Sequence, residues 1–327
     1  MKIKFASFIL FLPIVSQAFC FQEKDLQISD EALLSKFHQE KVIAPLQASA
    51  TKDPHAGYSF LVYDPPLSAC QVPTNGKWPS VLYLPGSGQS GTNNTGQVTG
   101  SSMARSIVKH PERFCAVFIF PQTPKEDFWD SSLAASALNA TKLSHAGTAY
   151  ELDPKRQYAM GFSLGAFGVC DLLRQESGMA GGVSYSGCLD DDKALPTANQ
   201  ICRELKAKPI APLWMFQGTD DRGGSAGGVD PKSTSIFWEG LRCASKTNPL
   251  AFSMDRFTQI QGMGHCSWQC QSVSDLNFKA ESKKNPEILC SEYQAINGEI
   301  QSSGSKDHEA AFHWLMQQSL NPEGVAP

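Results

Sequence analysis

The chain has 327 residues, 41% of them hydrophobic, and a formal net charge of −4. That length can bury one large core or two modest ones. With no basic cluster, it offers nucleic acid and anionic membrane no matching surface.

Lys2 and Lys4 precede an apolar run from Phe5 to Val15, which ends at Ser16-Gln17-Ala18. This is the pattern of a secretory signal peptide cut after about Ala18, its apolar run too short to anchor in a bilayer. Phe19 stands where lipidation at Cys20 would need a small residue. No later run approaches about 18 apolar residues, so no membrane span is expected in the mature chain. Ten cysteines in an exported chain imply disulfides of open connectivity, although Cys170, within an apolar helix, reads equally as a buried thiol.

Residues 19–55 read as a polar N-terminal arm, with a helix expected over 30–43 from the spacing of Leu33, Leu34, Phe37 and Val42. Residues 56–327 read as one catalytic domain. Strands are expected at 58–63, 80–84, 115–120, 158–160, 182–186, 213–216 and 257–260. Helices are expected at 103–108, 133–143, after residue 163, and at 194–208, 233–245 and 309–320. This alternation implies an α/β fold: a mostly parallel central sheet with helices on both faces. Residues 270–307 form a polar, cysteine-bearing insertion before the last helix.

The chemistry centres on Gly161-Phe162-Ser163-Leu164-Gly165. G-x-S-x-G between a strand and a helix describes a sharp turn that exposes a serine hydroxyl at the carboxyl edge of a sheet. A serine hydroxyl is a weak nucleophile until a base takes its proton, and that base needs an acid to orient it. In this fold the acid and then the histidine follow the serine. Asp220 and Asp221 follow one predicted strand, and His265, flanked by Gly264, follows another. The other six histidines lie before the serine strand or in the terminal helix. The loop Gly86-Ser87-Gly88 leaves an earlier core strand and could supply one backbone N–H to an oxyanion, with Leu164 supplying the other. Cys266-x-x-x-Cys270 beside His265 is the one closely spaced set of zinc-type ligands, and the acidic loop 220–230 lacks a calcium pattern. No metal or cofactor is expected.

On YSFLVYDPP, VLYLPGSGQSG, VFIFPQTP, YAMGFSLGAFG, PLWMFQGTDD and GMGHCSW, spanning residues 57–268, the chain resembles secreted α/β-hydrolase esterases. The resemblance is to the feruloyl esterase and polyhydroxybutyrate depolymerase group, with wider kinship to the phospholipase/carboxylesterase family. It implies an α/β-hydrolase fold and catalytic Ser163, Asp221 and His265. It selects Asp221 over Asp220 and maps the second oxyanion donor onto Ser87, beside Leu164. Pro85 and Gln217 replace histidines usual in the group. Trp268, Phe162, Trp129 and Trp238 are aromatic candidates for the pocket, against a competing role in the core. The expected activity is hydrolysis of a small-molecule or polymer-linked carboxylic ester. An inactive hydrolase-fold binding protein and an oligopeptidase-type serine peptidase are the competing readings.

Overall fold

Continuous apolar runs become the middle of the sheet, because a strand covered on both faces has no polar side to show. The computed structural model describes residues 28–42, 57–124, 129–175, 178–189, 195–221, 228–249, 252–260, 265, 279–280, 288–289, 294–295 and 311–320. The strands are β1 (His38–Lys41), β2 (Ser59–Tyr63), β3 (Trp78–Leu84), β4 (Val117–Phe120), β5 (Leu152–Phe162), β6 (Gly181–Tyr185), β7 (Leu213–Gly218) and β8 (Arg256–Ile260). Three two-residue strands follow: β9 (Lys279–Ala280), β10 (Ile288–Leu289) and β11 (Gln294–Ala295). The helices are α1 (Asp30–Leu34), α2 (Gly96–Thr99), α3 (Ser102–Lys109), α4 (Ser131–His145), α5 (Leu164–Gln175), α6 (Ala198–Ala207), α7 (Pro231–Ser245) and α8 (Ala311–Met316).

Nine strands form one sheet in the order β1-β2-β4-β3-β5-β6-β7-β8-β11. β4, β3, β5, β6, β7 and β8 run parallel, while β1, β2 and β11 pair antiparallel at the edges. Strand alternation divides the core in two. Leu82, Leu84, Val117 and Ile119 face α4, α5, α6 and α7. Val81, Tyr83, Phe118 and Phe120 face α1, α3 and α8. The expected α/β architecture is therefore present.

One expectation fails near the start. The helix anticipated over 30–43 is the short α1, whose Ser29 side chain caps Ala32 N–H, followed by the edge strand β1. His38 sits opposite Val62 and Lys41 opposite Ser59, so part of the supposed arm belongs to the sheet. The pairing is with a segment about 20 residues downstream, and HQEK carries no strand signature of its own.

Three disulfides join the described cysteines: Cys70–Cys115, Cys170–Cys188 and Cys202–Cys243, with Cα separations of 5.5, 5.4 and 5.5 Å. Cys170 is thus no buried thiol; it ties α5 to the turn after β6. Three bridges suit an oxidising compartment. The leader, most of the 270–307 insertion, and Cys20, Cys266, Cys270 and Cys290 lie outside the described residues.

At the entry to β7 and β8, Asp255 is 7% exposed and accepts the Leu213 N–H at 2.8 Å. Its other oxygen, Oδ2, has no hydrogen-bond partner among the described residues. Desolvation pushes this carboxyl well above the usual carboxylate range, against a smaller opposing effect of the Leu213 N–H. The native state therefore holds a proton that the unfolded chain releases, and stability falls as pH rises from about 4. Asp255→Asn keeps the acceptor and removes the charge. It should raise Tm near neutrality by about 2–6 °C. Melting curves across pH should show that gain shrinking toward pH ~4, and a pH-independent gain would refute the account.

Candidate active site

Ser163 sits between the last residue of β5 and the first of α5, with φ of +55°, a left-handed conformation rare for a residue with a side chain. The geometry costs about 1–2 kcal/mol and persists because the surroundings hold it. Ser163 N–H donates to Tyr185 O at 2.9 Å, and Ser163 O accepts from Ala166 N–H at 2.8 Å. Gly161 and Gly165 make the turn possible. A Cβ on Gly165 would lie 1.7 Å from Leu84 O, and one on Gly161 would lie 2.3 Å from Gly165 O.

Ser163 Oγ lies 2.8 Å from His265 Nε2. His265 Nδ1 lies 3.0 Å from Asp221 Oδ2 and 3.2 Å from Oδ1. Since Nδ1 faces a carboxylate, it carries the proton, and Nε2 is left to accept from the serine. The Asp221 side chain is fully buried and that of His265 is 10% exposed. Gln217 Nε2 donates to Asp221 Oδ2 at 2.9 Å, and Val229 N–H donates to Oδ1 at 3.0 Å. A buried carboxylate with two donors besides the imidazole is held in one orientation. Gln217 is itself fixed, its Oε1 accepting from Thr234 Oγ1 at 2.9 Å. Asp220 is half-buried and accepts from Thr219 Oγ1 at 3.4 Å; the carboxylate that meets His265 is that of Asp221.

His265 is also held by its backbone. Ser186, at φ +56° after β6, donates its hydroxyl to His265 O at 2.7 Å. The Phe162 ring packs against the imidazole, with centroids 4.9 Å apart. Neither Ser186 nor Gln217 stood out in the sequence as a site residue. The one available signal was that Gln217 occupies a position where the resembling group has histidine.

The early glycine loop meets the serine. A Cβ on Gly86 would lie 3.3 Å from both Ser163 Cβ and Phe162 Cδ1, which brings this backbone against the turn. Ser87, exposed, begins a 3₁₀ turn through Gln89. Leu164 begins α5, so its N–H has no acceptor within the helix. Gln122 braces the loop from β4: its Nε2 donates to Gln89 O and Asn93 Oδ1, each at 3.0 Å, and its Oε1 accepts from Asn94 N–H at 2.8 Å.

Two aromatic candidates are core residues. Trp129 is 1% exposed and donates its indole N–H to Pro85 O at 3.0 Å; it supports the early loop from beneath instead of lining a pocket. Trp238 is buried against Phe257, with ring centroids 5.8 Å apart. Their apolar surface is large enough to be consumed by packing before any ligand arrives. Phe162 stays half-buried beside His265, and Trp268 lies outside the described residues.

The sequence matches no protein-family model and no curated protein. Solved structures similar to the chain include a thermostable esterase, 20% identical with a TM-score of 0.50, covering 72% of this chain and 60% of that one. The chain thus spans three fifths of the length of that esterase. A substrate-bound, fluorophosphonate-binding serine hydrolase F of Staphylococcus aureus is 13% identical with a TM-score of 0.46, covering 71% of this chain and 93% of that one. A Pyrococcus furiosus esterase is 15% identical with a TM-score of 0.43, covering 74% and 90%. The first likeness establishes the α/β-hydrolase fold.

The close approach at Gly165 predicts a sharp contrast within the site. Gly165→Ala should cost on the order of 4 kcal/mol or fail to fold, because the nearest atom is backbone that cannot retreat. Gly88→Ala, with nothing within 4 Å of the added methyl group, should leave Tm unchanged. Thermal melting of both variants checks the contrast, and equal stability would sink it.

Proposed function

We propose that the chain is an exported serine ester hydrolase acting on carboxylic esters through an acyl-enzyme. The observation that carries this reading is the unbroken series of hydrogen bonds Ser163 Oγ, His265 Nε2, His265 Nδ1, Asp221. In the proposed reaction Ser163 Oγ attacks the ester carbonyl carbon as its proton passes to His265 Nε2. The Nδ1–H bond to Asp221 stabilises the imidazolium that forms. Charge developing on the carbonyl oxygen meets the N–H groups of Leu164 and Ser87. Collapse breaks the carbonyl–alkoxy bond, and His265 returns the proton to the leaving alcohol. Water, deprotonated by His265, then attacks the acyl-serine, and the acid departs as Ser163 recovers its proton.

Phe162, packed on the His265 ring, supplies an apolar wall beside the reacting atoms in this reading, and Trp268 is the second proposed substrate-binding aromatic. Within the class, feruloyl-polysaccharide, hydroxyalkanoate polyester and short-chain acyl esters are the candidate substrates. The sequence resemblance supports the first two. A leader of signal-peptide pattern and three disulfides support export.

A fluorophosphonate probe should label wild-type protein at Ser163. With p-nitrophenyl esters, Ser163→Ala and His265→Ala should each lower kcat by about 10⁶-fold, and the double variant should fall no further, since the groups act as one unit. Asp221→Ala should lower kcat by about 10⁴-fold. Retained turnover in a folded Ser163→Ala protein overturns the assignment, and additive losses in the double variant refute the shared relay. Faster cleavage of amide than of matched ester substrates would move the protein to the peptidases.

A further inference from the structure

At the opposite edge of the sheet from Ser163, four side chains from three elements converge. His38 and Glu40 are alternate residues of β1 and project to the same side. Asp64 follows β2, whose Tyr63 pairs with Phe118 near the start of β4. Because β2 runs against β4, Asp64 lies at the amino end of the parallel strands. His145 ends α4, before the chain enters β5 at that same edge.

The two imidazoles are stacked, with centroids 5.8 Å apart and planes 23° from parallel. One nitrogen of each faces Asp64: His145 Nε2 lies 2.9 Å from Oδ1, and His38 Nδ1 lies 3.6 Å from Oδ2. The other nitrogen of each faces Glu40 Oε1, at 3.2 Å from His38 Nε2 and 3.3 Å from His145 Nδ1. Ser144 Oγ donates to the same Glu40 oxygen at 2.8 Å and lies 3.0 Å from His145 Nδ1. The side chains of His145 and Glu40 are 7% and 10% exposed, and buried Glu40 Oε2 has no partner among the described residues.

We propose that His38 Nδ1, His145 Nε2 and Asp64 form a binding site for a divalent transition-metal ion of the zinc type, with Glu40 orienting both imidazoles. The ligand atoms of these three residues all lie within 4.8 Å of one another. Tetrahedral zinc with bonds of about 2.0–2.1 Å needs ligand atoms about 3.4 Å apart; the two nitrogens stand 2.9 and 3.6 Å from separate oxygens of Asp64, so a small adjustment of the three side chains brings both nitrogens and one oxygen onto a single ion. A metal-bound histidine typically gives its second N–H to a carboxylate, which fixes the tautomer. With the ion bound, Glu40 Oε1 is placed to accept from both rings, which frees His38 Nδ1 and His145 Nε2 to ligate beside Asp64. Two imidazoles with one carboxylate favour zinc over calcium or magnesium, which take oxygen ligands. His38, with a 44% exposed side chain, leaves a path for the ion and a coordination position for water. The site's work is structural: it joins the short edge strand β1 to α4 and to the end of β2.

Zinc itself is the probe. Full-length protein stripped with a chelator is dialysed against Zn²⁺, and bound metal is counted by mass spectrometry. Wild type should retain one ion per chain more than His38→Ala or Asp64→Asn, both altered at partly exposed positions. Glu40→Gln should keep the ion with affinity weakened about 10–100-fold. Zinc should raise the Tm of wild type and not of His38→Ala, and Co²⁺ on wild type should give the visible bands of four- or five-coordinate cobalt. Equal metal content in wild type and folded His38→Ala, or a Tm that ignores zinc, overturns the proposal and leaves an ion-paired clamp. None of these readouts involves ester turnover, so they stand or fall apart from the serine site.

Discussion

The contact between α5 and the end of β3 governs the rest of the site. At Gly165 the helix backbone passes so near Leu84 O that a single methyl group has no room. That approach forces the chain to reverse within one residue, and Ser163 takes up the left-handed conformation that results. The strained backbone is fastened to β6 through Tyr185 O and to α5 through its own carbonyl. The elbow lifts it to the rim, where segments following β7 and β8 can reach it.

The partners come to that rim by different means. Asp221 is placed by the end of β7 and held by Gln217 and Val229, so its charge is buried but fully engaged. A buried carboxylate oxygen left without such a donor would cost stability. His265 depends on a backbone contact, the Ser186 hydroxyl on its carbonyl, and on the ring of Phe162. Ser186 is in turn held by Phe216 O from β7. The same turn continues to Cys188, bridged to Cys170 in α5. The helix that follows Ser163 and the anchor of His265 are thus covalently connected, and relative drift between them is limited.

The sheet also separates two kinds of polar cluster. The carboxyl edge gathers groups whose hydrogen bonds run toward a part-buried hydroxyl. The amino edge gathers two imidazoles between two carboxylates, turned toward one another and away from the serine. The first arrangement is suited to moving a proton and the second to holding a cation. Helix α4 and strand β5, joined by the loop from residue 146 to 151, link the two ends without mixing their chemistry.

Local pattern alone determined the alternating strands and helices, the serine turn, and the order of acid and histidine after it. Those signals sit within a few residues of one another: apolar runs for strands buried on both faces, glycines where backbones touch, loops following strands. Choosing Asp221 over Asp220 needed the resemblance, because neighbouring residues share composition and differ in direction. Tertiary structure decided what depends on distant partners. HQEK becomes a strand because β2 offers an unpaired edge, Cys170 becomes half of a disulfide because the β6 turn lies over α5, and Trp129 is consumed beneath the early loop. His38, Asp64 and His145 carry no local signal in a chain where about 80 residues separate one from the next at the widest gap. Spacing along a sequence cannot encode that meeting, since it exists only once antiparallel pairing and the end of a helix have brought the backbone around.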